Sequence, residues 1–161
     1  MNEMPAQTDI RRDLVGLLPQ LRRFAAVLVR DANSVDPLVV RTCEAAVEKA
    51  AQPKPGQELL PWAFTLMRVL WTEETRRRKN QAERDDNGRR AEPGRMSLGK
   101  PVLDALSRSS APVFLLCSVE GMSYAQAASI MGITPDAVAV RMLLARRELG
   151  AEDSNTSERR A

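Results

Sequence analysis

Apolar residues recur along the chain at steps of three and four, in blocks set apart by short polar breaks. Leu14, Leu18, Leu21, Ala25 and Leu28 fall on one side of a helix, with Pro19 as a point where it bends or restarts. Val35, Leu38, Val39, Thr42 and Ala46 make a second stripe. Trp62, Leu66, Val69 and Leu70 make a third, which runs into the basic sequence Arg76-Arg77-Arg78-Lys79. Between the second and third, Gln52-Pro53-Lys54-Pro55-Gly56 cannot continue a helix, because proline lacks the amide proton and clashes with the preceding turn. Three such helices bury one core together, which predicts an N-terminal helical domain over residues 8–79.

Residues 80–100 hold Gly88, Pro93, Gly94 and Gly99 without sustained apolar periodicity, and read as a flexible basic linker. Periodicity returns over residues 101–150, with a short helix starting at Val102 and a second from Ala111 to Glu120, closed by Gly121. Ser123 and Gln126 then have the spacing of a capping box. Ala127 and Ala128 permit close approach of a neighbouring helix, and Gly132 suits a left-handed helix end, with Ile133 plugging the core. Thr134 as N-cap with Pro135 at the first helical position starts the next helix. Val138, Met142, Ala145 and Leu149 form that helix's core stripe, leaving Ala139, Val140, Leu143 and Leu144 largely off it. Helix, short glycine turn, helix is the pattern of a helix-turn-helix. Residues 151–161 are polar and read as a disordered tail. The fold class predicted is all-α, two small helical domains and a linker.

Composition narrows the chemistry. Among 161 residues there is no histidine, which removes the commonest general base and zinc ligand together. Neither a phosphate-binding glycine loop nor a dinucleotide motif occurs, so no enzyme, cofactor, metal or small-molecule substrate is expected. Cys43 and Cys117 sit in apolar helical patterns and read as buried thiols, and Met122, Met131 and Met142 as core filler. No apolar run is long enough for a membrane span and no signal peptide is visible, so a cytoplasmic location is expected. The net charge of +3 is concentrated between Arg68 and Lys100, where ten basic residues stand against six acidic ones. That segment suits a polyanion, although Arg76 to Lys79 equally suits a solvated helix end at the negative pole of its helix. Trp62 and Trp71, nine residues apart, fall on opposite faces, one in the core and one at an interface or cap.

Gly121, Ser123-Tyr124, Ala127-Ala128, Gly132-Ile133, Val138, Arg141, Ala145-Arg146 and Leu149 resemble the C-terminal promoter-reading domain of the sigma-70 family, in particular its small extracytoplasmic-function (ECF) members. Leu17-Leu18-Pro19-Gln20-Leu21-Arg22-Arg23-Phe24-Ala25 resembles the opening helix of that family's N-terminal domain. Trp62-Ala63-Phe64-Thr65 through Glu74-Thr75-Arg76-Arg77-Arg78 resembles its promoter-melting helix. The resemblance implies DNA contacts from Thr134, Asp136, Ala137, Val140, Arg141, Arg146 and Arg147 on the recognition helix, and from Trp71, Arg76, Arg77 and Arg78 on the melting helix. It places the contact with core RNA polymerase at Asp36, Leu38, Val39, Val40 and Arg41, where a family glutamine is replaced by Val40 and a family acid by Arg41.

Two functions follow. In one, the chain is an ECF-type sigma factor that brings RNA polymerase to promoter DNA under the control of an anti-sigma factor. In the other, it is a sigma-like adaptor or mimic that binds an anti-sigma factor or other regulator in place of DNA. The off-core Leu143 and Leu144 would then supply a protein interface, since base edges are read by polar side chains that these positions lack.

Overall fold

The computed structural model describes residues 5–48, 53, 54, 56–84 and 106–158. Linker positions 85–100 and the short helix expected at Val102 lie outside the described residues. The chain divides into two compact units, Met1–Met96 and Ser97–Ala161, and the described residues of both are helical with no strand.

In the first unit α1 (Pro5–Val29), α2 (Ala32–Val47) and α3 (Leu59–Arg84) pack on one another. Pro19 lies inside α1 without ending it. A two-residue connection joins α1 to α2. Arg30 takes a positive φ of 51° there, and Asp31 caps α2 by accepting from the Asn33 amide at 3.3 Å and the Ser34 hydroxyl at 2.6 Å. Between α2 and α3 the expected break is present. Gly56 takes a φ of +83°, and the Gln57 amide donates to the Lys54 carbonyl at 3.0 Å.

All five residues of the second predicted stripe are buried, and the Thr42 hydroxyl satisfies itself on the Leu38 carbonyl at 2.8 Å. The third stripe is corrected. α3 buries Ala63, Phe64 and Met67, leaving Trp62, Leu66, Val69 and Leu70 half-buried. Residues 59–71 are apolar nearly all round the helix, so spacing alone does not select the inward face. Ring packing selects it: Phe64 meets Phe24 of α1 with centroids 4.6 Å apart, tilted by 49°, and both rings are fully buried. Neither tryptophan reaches the core; Trp71, like Trp62, is half-buried.

The second unit holds α4 (Ala111–Phe114), which runs directly into a π-helical turn (Leu115–Val119), then α5 (Tyr124–Met131) and α6 (Pro135–Glu158). In the π turn the Glu120 amide donates to the Leu115 carbonyl at 2.9 Å, and Gly121 then reverses the chain with a φ of 69°. Glu148 of α6 accepts from the Ser107 amide at 3.1 Å, tying the last helix to the entry of α4. Met122 and Met142 are buried and Met131 is half-buried.

Two helix boundaries differ from those expected. α3 continues to Arg84, because Gln81, Ala82, Glu83 and Arg84 are strong helix formers although they lack apolar periodicity. α6 continues through Gly150 to Glu158 where a disordered tail was expected. A single glycine weakens a helix without stopping it. Among the described residues no single helix is long and apolar enough to cross a membrane.

Candidate nucleic-acid interface

The helix-turn-helix is assembled by its own caps. Ser123 accepts from the Gln126 amide at 3.1 Å while the Gln126 side chain accepts from the Ser123 amide at 3.0 Å, the reciprocal pair the sequence spacing predicts. Gly132 ends α5 in the left-handed region (φ 66°, ψ 36°), and the Ile133 amide closes the turn onto the Ala128 carbonyl at 3.1 Å. Thr134 then accepts from the Ala137 amide at 3.2 Å and starts α6. The bend between the two helices is 102°, within the range of a helix-turn-helix.

Val138, Met142 and Ala145 of α6 are buried against α4 and α5, with Leu149 half-buried. The opposite face is exposed. Asp136, Val140, Leu143, Leu144, Arg146 and Arg147 are open to solvent, while Ala137 and Arg141 are half-buried at its edge. Val140 and Arg147, expected to touch DNA, therefore interleave with Leu143 and Leu144, expected to touch protein: one face serves both expectations. Asp136 stands in the first turn of α6, where the positive pole of the helix stabilises it.

In the first unit the basic end of α3 is organised around an acid. Glu74, whose side chain is only 13% exposed, receives Arg78 Nε at 2.8 Å, Arg77 Nη2, and Arg41 Nη1 from α2 at 3.3 Å. Arg76, Arg77 and Arg78 are exposed, so the basic run presents its charge to solvent. In the sequence Glu74 stands only within the melting-helix resemblance, with no role of its own. Its spacing from Arg77 and Arg78 would have marked two of these pairs, but the pair with Arg41 exists only through the packing of α2 on α3.

Burial raises the Glu74 carboxyl, but hydrogen bonds from Arg78 and Arg77, with their charges, outweigh it and hold the group below its ordinary value of 4.5. A carboxylate depressed by folding adds stability above its unfolded value and loses it as pH falls through the lower folded value. Glu74→Gln should therefore lower the denaturation midpoint at neutral pH. The loss should not exceed about 1 kcal/mol, because the arginines are solvated. Midpoints measured across a pH series should show the difference from wild type vanishing as pH drops below 4.5 and through that folded value.

Part of the surface expected to meet polymerase is withdrawn. Leu38 and Val39 are buried in the three-helix core and unavailable to a partner, which leaves Asp36, Val40 and Arg41 exposed. Asp36 already pairs with Arg22 of α1 at 3.0 Å and Arg41 with Glu74. The two cysteines are free and only partly buried, a correction to their expected full burial. Burial pushes both thiols up, with the neighbouring Glu44 adding to the effect at Cys43, so both stay protonated at neutral pH.

A three-helix unit with a basic α3 and a second unit ending in a helix-turn-helix have the two-part layout of sigma-70-type chains, and each unit is similar to a domain of that kind. Residues 102–149 match the family Sigma-70, region 4, and residues 14–68 match the Sigma2 domain of PhyR. The chain is 29% identical over 157 residues to the ECF RNA polymerase sigma factor EcfG of Rhodopseudomonas palustris (strain TIE-1), covering 92% of this chain and 87% of that one. It is 25% identical over 133 residues to the RNA polymerase sigma factor CarQ of Myxococcus xanthus, covering 76% of each. Among solved structures it is similar to the sigma factor RpoE of Bartonella quintana in complex with the anti-sigma factor NepR, at a TM-score of 0.72 and 28% identity, covering 88% of this chain and 94% of that one. The fold is also that of CnrH in complex with the cytosolic domain of CnrY, at a TM-score of 0.63 and 23% identity, covering 92% and 90%.

Proposed function

We infer that this chain directs core RNA polymerase to promoters as an ECF-type sigma factor. The observation that carries the reading is that both halves of a sigma factor are present in one chain, in order, and match sigma factors over nearly its whole length. In this reading α2 offers Asp36, Val40 and Arg41 to polymerase, and α3 brings Trp71 and the basic run Arg76 to Arg78 to opened promoter DNA. α6 enters the major groove with the residues that follow Thr134, while Arg141, Arg146 and Arg147 hold phosphates. Arg146 lies eleven residues beyond Pro135, about 17 Å along the helix axis, which is far enough to reach backbone flanking the bases read by the first turn. The protein acts in the cytoplasm, where polymerase and DNA are. It needs no cofactor and catalyses no reaction of its own.

Regulation by an anti-sigma factor belongs to the same reading, because a similar solved sigma factor is held by one. The exposed stripe of Val140, Leu143 and Leu144 suits an apolar helix face, and an occupant there would cover Arg147 and exclude DNA. The alternative of a polymerase-independent mimic is less well supported, since the full-length relatives are sigma factors. Affinity capture with purified core polymerase tests the choice: co-elution of polymerase subunits supports the sigma factor, and capture of a regulator without polymerase supports the mimic.

A further inference from the structure

The exposed face of α6 has a symmetry of its own. Asp136, Val140, Leu143 and Arg147 follow one another at steps of four, three and four, the spacing of a seam along which one helix meets another. All four are open to solvent, Val140 at 58% and Leu143 at 50%, on the side away from the buried Val138, Met142 and Ala145. Ala139 and Leu144, also exposed, flank the seam. From one end to the other the order is an acid, then aliphatic residues, then a base. A second α6 laid antiparallel on this face, with a two-fold axis passing between Arg141 and Met142, sets Asp136 against Arg147 of the second copy, Val140 against Leu143 and Ala139 against Leu144. Apolar residues then meet apolar ones and each charge meets its opposite, and the two-fold axis makes every pairing twice.

We propose that this face is a self-association surface, on which a second copy of the chain packs its own α6 antiparallel, and that the paired state covers the residues assigned above to promoter DNA. A second copy is favoured over an unrelated helix because the two ends of the seam carry opposite charges, which are complementary to the same seam run in reverse. Three helical turns from each copy bury less than the roughly 1,200 Å² of total surface at which stable complexes begin, so the pair forms at micromolar rather than nanomolar concentrations. The pairing stands without the sigma-factor reading, while its consequence rests on that reading: copies in excess of polymerase hold one another off DNA.

The test is sedimentation of the full-length chain, without DNA or polymerase, from submicromolar concentrations to the limit of solubility. Wild type should pass from monomer to dimer in the micromolar range, and Leu143→Glu, at an exposed position, should stay monomeric. Asp136→Arg and Arg147→Asp each place like charges at both ends of the seam and should weaken the dimer about tenfold. Mixed in equal amounts, these two variants should pair with each other at least as well as wild type pairs with itself, because one then carries two positive seam ends and the other two negative ones. That recovery also shows that both variants are folded. Wild type that stays monomeric throughout overturns the proposal, even where a helical regulator binds this face. A dimer that withstands Leu143→Glu and both charge variants overturns it too, since the contact then lies elsewhere. Capture of core polymerase decides the sigma-factor reading separately.

Discussion

Phe64→Ala is expected to unfold the N-terminal unit at physiological temperature. Phe64 is fully buried and packs its ring, tilted, against Phe24 of α1, so truncation removes a ring contact that joins these helices. Deleting a buried phenyl ring costs about 3–5 kcal/mol, a large share of the roughly 5–15 kcal/mol that holds a small domain folded. Phe64→Leu, which keeps most of the volume, should cost far less. The measurement is specific to this unit, because Trp62 and Trp71 are the two tryptophans of the chain and both lie on α3. Denaturant titration followed by tryptophan fluorescence should show the midpoint collapse in Phe64→Ala. A midpoint within experimental error of wild type would mean that the core is not centred on this ring pair. The functional consequence is loss of polymerase capture, since α2 then has no platform.

The second large effect is expected from Arg146→Ala combined with Arg147→Ala. Both side chains are exposed on α6, so the double variant should keep its melting temperature. Affinity for duplex promoter DNA should fall on the order of tenfold, roughly uniformly across sequences, and the salt slope by about 1.8, the value of two duplex phosphates. A change in sequence preference without a change in slope would instead place these arginines on base edges.

Much of this site could be read from the chain because it is local. Capping boxes, left-handed glycines and Thr-Pro helix starts depend on residues within a few positions of one another, and Ser123, Gln126, Gly132 and Thr134 make the bonds their spacing implies. The buried face of α6 follows the spacing of Val138, Met142 and Ala145, with the apolar Val140, Leu143 and Leu144 left outside it. α3 is different: with apolar residues on every side from Leu59 to Trp71, only the partner ring on α1 decides which turn inward. Leu38 and Val39 show the matching difficulty on α2, where one stretch reads equally as core stripe and as contact surface until burial separates them. The Arg41 to Glu74 bridge joins positions 33 residues apart, and no spacing rule reaches that far. The extent of α6 past Gly150 is not legible in the sequence, because polarity by itself does not mark a helix end.

The role proposed for this chain is to give promoter specificity to RNA polymerase. Core polymerase reconstituted with the purified chain and offered total genomic DNA should produce transcripts whose 5′ ends map downstream of one shared pair of upstream elements. Those transcripts should disappear with Arg146→Ala and Arg147→Ala in combination. Polymerase that binds the chain yet starts no transcript beyond those made by core alone would contradict the claim.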